Sequence, residues 1–144
     1  MTRLRDDDGS TLPLTIFFGF LSLLLVLLVV AATSLYLERK RLFTLADGAA
    51  LVGAEAFTLD QVSRTPQGYR PTLTSPEVAA AVGNYLATAP TGNLESLTVE
   101  SASTLDGRSA TVSLSAYWRP PVLTLFVPSG LRLEVTAVAR SVFS

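Results

Sequence analysis

The chain has 144 residues, of which 49% are hydrophobic, and carries 11 basic and 12 acidic side chains. It contains no histidine and no cysteine, which excludes a Ser/His/Asp triad, a cysteine nucleophile, a disulfide framework and the usual zinc ligand sets. The net charge of −1 provides no basic field to attract nucleic acid. A mean hydropathy of +0.42 is too apolar for an ordinary soluble domain.

An uncharged apolar segment explains that hydropathy. Residues 14–37 are 24 positions, and the five that are not apolar are Thr15, Gly19, Ser22, Thr33 and Ser34. Because a bilayer core of about 30 Å needs about 20 helical residues, the segment predicts a transmembrane helix that follows a polar tail over residues 1–13. Insertion is favoured by on the order of 5–10 kcal/mol. We therefore expect a single pass through the membrane, with lipid as a partner.

The competing interpretation is a secretory signal cleaved after Ala32, since Val30-Ala31-Ala32 offers small residues at a suitable place. The apolar region of a signal is usually about 7–15 residues long. This one is longer and is followed at once by Glu38-Arg39-Lys40-Arg41, which favours an uncleaved anchor. Arg3 and Arg5 balance that basic flank, so charge counting leaves the orientation open.

The helical pattern continues beyond the basic flank, without a proline between Leu14 and Gln61. We predict an extramembrane continuation over residues 38–57, which would make the whole helix roughly 65 Å long. Small residues at four-residue spacing suit either the close approach of another helix or packing on the chain's own domain. The candidate assembly contacts on this stretch are Ala46, Asp47, Ala49, Ala50, Gly53 and Ala54.

Asp47 is the charged member of that set, and its helical neighbours three and four positions away cannot form an ion pair with it. If the carboxylate is partly buried, it needs a long-range partner: Arg119, Arg132, Arg140 or a backbone N–H group. The alternative is a solvated carboxylate on the surface.

A loop and a second helix are predicted next. Residues 58–75 are polar and contain Pro66, Gly68 and Pro71, which indicate a loop. A helix over about 76–89 follows, with Ser75 as a plausible N-cap.

The rest of the chain alternates apolar and polar residues, which predicts three strands near residues 97–100, 110–118 and 131–142. Asp106-Gly107 predicts the turn between the first two. The helix and the antiparallel sheet together define a domain over residues 76–144. Since the sheet needs a cover, the predicted fold class is α+β, with the sheet packed on the outer part of the long helix. This arrangement resembles the pilin-like plan.

An apolar run lies between the last two predicted strands, bracketed by prolines. It is either a buried edge or an exposed docking patch for a neighbouring subunit or the membrane face. The candidate patch residues are Val122, Leu123, Leu125, Phe126 and Val127.

Two stretches resemble the TadE/TadG-like proteins of Flp (Tad) pilus systems. Gly9-Ser10-Thr11-Leu12-Pro13 leads into the apolar segment, and Ala46-Asp47-Gly48-Ala49-Ala50-Leu51 lies beyond it, as in proteins that carry an Ala-Asp-x-Ala-Ala-Leu stretch just outside one membrane helix. The resemblance covers about the first 57 residues. It implies a single-pass cell-membrane protein with an extracytoplasmic C-terminal domain and other pilus or secretion-system subunits as partners.

The resemblance also marks Gly9 and Ser10 as a candidate processing site, since pilins and pseudopilins are cut after a glycine. Those proteins usually carry a glutamate five residues beyond the cut, where this chain has Leu14. The glutamate is therefore absent at that position.

We predict a structural or assembly subunit, minor pilin or pseudopilin-like, that acts by noncovalent assembly. Carboxylates such as Glu95 and Glu100 lack a partner base, so we expect no enzyme, no cofactor, no small-molecule substrate and no nucleic acid. Two alternatives remain: a solitary single-pass module that binds an envelope ligand, and a secreted protein released after Ala32.

Overall fold

The computed structural model describes residues 11–120, 123–125 and 127–141. These residues contain two α-helices and five strands: α1 (Thr11–Ala54), β1 (Val62–Thr65), β2 (Gly68–Pro71), α2 (Ser75–Thr88), β3 (Glu95–Ser103), β4 (Ser109–Trp118) and β5 (Leu131–Arg140). The predicted α+β layout, with a long N-terminal helix, a short second helix and a three-stranded antiparallel sheet, is confirmed. The chain divides into two compact units, with the boundary between Leu35 and Tyr36.

In the first unit, the described residues belong to α1, and their large apolar side chains from Leu12 to Val30 are exposed. Among the described residues, α1 is long and apolar enough to cross a membrane, and none of its most apolar 18-residue window is buried. The hydroxyls of Thr15 and Thr33 each donate to the carbonyl oxygen four residues earlier, at 2.9 Å. These polar groups are thus satisfied inside the helix, as a hydrocarbon environment requires.

The core of the second unit is built from the last turns of α1, the inner face of α2 and the inner face of the sheet. Every second residue of β4 is buried, from Ala110 to Trp118, as the alternation predicts. Val78 and Val82 of α2 are fully buried in the same cluster. Small residues of α1 complete the cluster, so α1 packs closely on the sheet.

The sheet has the order β3-β4-β5, and both pairings are antiparallel. β4 and β5 pair without interruption from Ser109↔Arg140 to Trp118↔Leu131. The pairing of β3 with β4 shifts register between Glu95 and Thr98 and again between Val99 and Ser101. Such irregularities disfavour further strand addition at the β3 edge, whereas β5 is regular throughout.

The structure differs from the predicted loop over residues 58–75. A 3₁₀ turn over Leu59–Gln61 leads into an antiparallel hairpin, in which Val62 pairs with Pro71 and Thr65 with Gly68. Most side chains of the hairpin are exposed, so it has no apolar alternation that a sequence pattern would reveal.

Side chains around Gln61 tie the hairpin to α2. The side-chain oxygen Oε1 of Gln61 accepts from the Thr58 backbone N–H at 2.8 Å, and the side-chain Nε2 of Gln61 donates to Glu77. The Thr74 hydroxyl also donates to Glu77, at 2.6 Å. Hydrogen bonds from Thr74 and then Gln61 hold the pKa of Glu77 below its ordinary value, so this carboxylate stays charged near the N-terminus of α2.

Two helix boundaries also differ from the predictions. α1 ends at Ala54 rather than Phe57, because the Phe57 N–H bonds to the carbonyl of Glu55 instead of continuing the helical ladder. The N-cap of α2 is Thr74 in an extended conformation, one residue before the predicted Ser75.

Candidate functional site

The small residues predicted as assembly contacts face the interior of the second unit. Ala46, Ala49, Ala50 and Ala54 have no exposed surface, and Gly53 is buried with them. A Cβ atom at Gly53 would lie 3.1 Å from Val78 Cγ1 and 3.2 Å from Ala110 Cβ. In this structure these residues therefore pack on the chain's own domain, the alternative that the sequence left open, and they are not available to a second helix.

Asp47 lies on the other side of α1. We define the outer face of α1 as Lys40, Phe43, Thr44, Asp47 and Leu51, all of which are exposed. Leu51 is 54% exposed and the adjacent Phe43 is 49% exposed. The outer face therefore carries a carboxylate between large apolar side chains, outside the folded core.

The predicted long-range partner of Asp47 is not found. Within the described part of the chain, Asp47 makes no hydrogen bond and no ion pair. Arg119 pairs with Glu95 at 3.4 Å, and Arg132 with Glu100 at 2.6 Å. Because Asp47 is exposed, water solvates its charge and no internal partner is needed.

Glu100 and Arg132 are instead held together on the outer side of the sheet. Glu100 Oε1 accepts from Ser115 Oγ at 2.5 Å and from Arg132 Nη2 at 2.6 Å. These two hydrogen bonds lower the pKa of Glu100, and the same carboxylate raises the pKa of Arg132. This cluster links all three strands and has a structural role.

Glu38 is a buried carboxylate that the sequence did not single out. It is the first residue of α1 on the side that faces the core, and its Oε1 accepts from Arg41 Nη1 at 2.7 Å. Its second oxygen is buried without a partner among the described atoms. Glu38 is thus part of the folded core and binds Arg41. Among the described residues, the other two cations of this flank, Arg39 and Lys40, have no ion-pair partner.

Only part of the predicted docking patch can be placed. Val122 and Phe126 lie outside the described residues, as does the side chain of Leu123. Leu125 sits in a 3₁₀ turn over Leu123–Leu125 and is 80% exposed, whereas Val127 is half-buried. At Leu125, therefore, the structure has an exposed apolar side chain rather than a buried edge.

The candidate processing site, Gly9 with Ser10, lies outside the described residues. Within the described ranges, no group of three or more Asp and Glu residues is placed to hold a metal ion.

The sequence analysis identified Asp47 as a candidate contact but did not identify the exposed apolar side chains beside it. Phe43, Asp47 and Leu51 recur at four-residue spacing, which puts them in one line along a helix. That spacing is the signal that identifies the outer face, since the small residues that draw attention lie on the opposite side.

These features describe an α+β protein with an N-terminal helix suited to a membrane and an exposed carboxylate on its extramembrane part. Residues 9–56, a third of the chain, match the Tad family model, described as "Putative Flp pilus-assembly TadE/G-like". The match confirms the resemblance to TadE/TadG-like proteins, and at family level it supports a role in Flp pilus assembly at the membrane. No curated protein and no solved structure matches the chain.

Proposed function

We propose that this chain is a structural or assembly subunit, minor pilin or pseudopilin-like, of a Flp/Tad-type pilus or a related secretion system. The apolar part of α1 anchors it in a single pass, and the α+β domain is displayed on the extracytoplasmic side. The family match supports this proposal because it spans the apolar segment and the outer face of α1.

The observation that carries the proposal is the unpaired Asp47 on an exposed, partly apolar helix face. A helix face with large apolar side chains gains free energy when a partner covers it. Burial of Asp47 in that contact would be costly unless the partner supplies a cation or an N–H donor, so the carboxylate fixes the register of assembly.

The test is copurification of the full-length chain with pilus components from native membranes. Asp47→Leu should abolish copurification and leave membrane insertion intact, because loss of a buried charge contact typically costs about 2–5 kcal/mol. Asp60→Leu is a matched control, since Asp60 is also exposed and unpaired among the described residues but lies outside the segment that matches the family.

Unchanged copurification of Asp47→Leu, or an equal loss in Asp60→Leu, would remove this role for the outer face. N-terminal sequencing of the mature chain then separates the alternatives. A start at Met1 or Thr2 means an unprocessed anchor, a start at Ser10 means prepilin-type processing, and a start at Thr33 means secretion.

A further inference from the structure

A groove of about 450 Å³ lies between one side of α1 and strand β5. Tyr36, Arg39, Lys40 and Phe43 line it from the helix, and Glu134 and Thr136 line it from the strand. Its volume falls in the range of small-molecule sites, about 300–1,000 Å³. The groove is formed entirely within the second unit.

The charges in the groove favour a singly charged anion. Arg39 and Lys40 make no ion pair with any described residue, unlike their neighbour Arg41, which is bound to Glu38. Glu134 is 3.7 Å from Arg132, which is itself held mainly by Glu100. Two free cations and one carboxylate leave the groove with a net charge of +1, which complements the single charge of a phosphodiester.

The position of the two cations along the chain points to the membrane surface. Leu37 is the last residue of the apolar segment, so Arg39 and Lys40 follow it by about 3–4.5 Å along the helix. The headgroup layer extends about 5–7 Å beyond the hydrocarbon core on each side. When the segment spans a bilayer, both cations lie at the depth of lipid phosphates, and Tyr36 lies at the interface that aromatic side chains prefer.

We propose that this groove is a binding site for the headgroup of an anionic phospholipid such as phosphatidylglycerol. Arg39 and Lys40 bind the phosphate oxygens, and the ring of Tyr36, on the membrane side of both cations, borders the glycerol and the start of the acyl chains. Phe43 lies about 9 Å beyond Leu37 along the helix, so its ring borders the outer end of the headgroup. The site needs only the anchored chain, and it does not depend on a pilus partner.

The test measures how a lipid stabilises the full-length chain in an uncharged detergent, followed by the fluorescence of Trp118, the single tryptophan. A ligand that binds only the folded state stabilises it by RT ln(1 + [L]/Kd), so the rise of the unfolding midpoint with ligand concentration gives an apparent Kd. Dioctanoyl phosphatidylglycerol should raise the midpoint. Dioctanoyl phosphatidylcholine and glycerol 3-phosphate at the same concentration should not.

Variants of the groove should change that affinity in opposite directions. Removal of one cation near a lipid phosphate weakens binding about fivefold, so the double variant Arg39→Gln, Lys40→Gln should bind about 25-fold more weakly. Glu134→Gln removes the opposing charge and should bind more tightly. Arg140→Gln is the matched control, since Arg140 is an exposed arginine at the other end of β5 that lacks an ion pair among the described residues.

A loss of about fivefold in Arg140→Gln, as large per charge removed as in the double variant, would show a response to net charge alone and would overturn the site. Stabilisation by glycerol 3-phosphate as strong as by the lipid would also overturn it, because a free phosphate would then be the ligand. Failure of copurification by Asp47→Leu leaves this result unaffected, so the two proposals are tested separately.

Discussion

Gly53 determines how closely α1 packs on the rest of the domain, and its replacement by alanine measures that packing. The added methyl carbon would lie 3.1 Å from Val78 Cγ1 and 3.2 Å from Ala110 Cβ. Both distances are shorter than the roughly 3.5–4.0 Å of an optimal carbon–carbon contact. Since Val78 and Ala110 are fully buried, either α2 or β4 must move to admit the methyl group.

Two effects of opposite sign determine the change in the free energy of unfolding. Overpacking of a filled core typically costs about 1–3 kcal/mol. Replacement of glycine by alanine inside a helix raises the free energy of unfolding by about 1 kcal/mol. We therefore expect Gly53→Ala to lower the free energy of unfolding by about 0–2 kcal/mol.

Gly83→Ala isolates the helical term, because Gly83 lies inside α2 and a Cβ atom there meets nothing within 4 Å. The free energy of unfolding of this variant should rise by about 1 kcal/mol, so the free energies of unfolding of the two variants should differ by about 1–3 kcal/mol. For a domain of this size that difference is about 4–12 °C in the unfolding midpoint.

The assay is thermal unfolding of the full-length chain in an uncharged detergent, followed by fluorescence of the buried Trp118. Trp118 is the single tryptophan and lies at the end of β4, so its signal reports loss of the sheet rather than of the apolar helix. If Gly53→Ala were as stabilising as Gly83→Ala, the close contact of α1 with α2 and β4 would be refuted.

Two further predictions concern the sheet and its last turn. The pKa of Glu100 is lower in the folded state than the ordinary 4.5, so its contribution to stability is complete above that pH and is lost as the pH falls through the folded-state pKa. Glu100→Gln should therefore flatten the fall of the unfolding midpoint in acid, and an acid profile identical to that of the unmodified chain would contradict this. Gly130 has φ +74° and a Cβ there would lie 2.7 Å from the Trp118 carbonyl oxygen, so Gly130→Ala should cost more than about 2 kcal/mol. Gly92→Ala, at φ +59° in open space, should cost only about 1–2 kcal/mol, and equal midpoints for the two variants would argue against the close approach at Gly130.

The elements with a buried face could be predicted from the sequence. The alternation from Ala110 to Trp118 follows directly from burial of one face of β4. The spacing of Val78 and Val82 likewise identifies the face of α2 that packs on the core. In these elements the burial of one face determines which positions are apolar, so the apolar positions predict the element and its buried face.

The hairpin of β1 and β2 could not be predicted in this way, because main-chain pairing and the Gln61 contacts hold it rather than an apolar face. The same limit applies to the outer face of α1. Helical periodicity places Ala46 and Asp47 about 100° apart around the helix axis. It does not determine which of these two side chains the rest of the domain packs against. The three-dimensional arrangement of the sheet decides that the small residues are inside.

This division of α1 into two sides has a consequence for assembly. Because the small residues are already used in the core, close packing of backbones through Ala46 and Gly53 cannot select a partner for the folded chain. In the proposed role, selection depends on the outer face, where water solvates Asp47 while the chain is alone. A partner that covers Asp47 without a donor pays the cost of an unpaired carboxylate, and a partner with a donor does not. The exposed carboxylate of Asp47, between Phe43 and Leu51, can therefore penalise wrong partners and wrong registers more than it stabilises the right one.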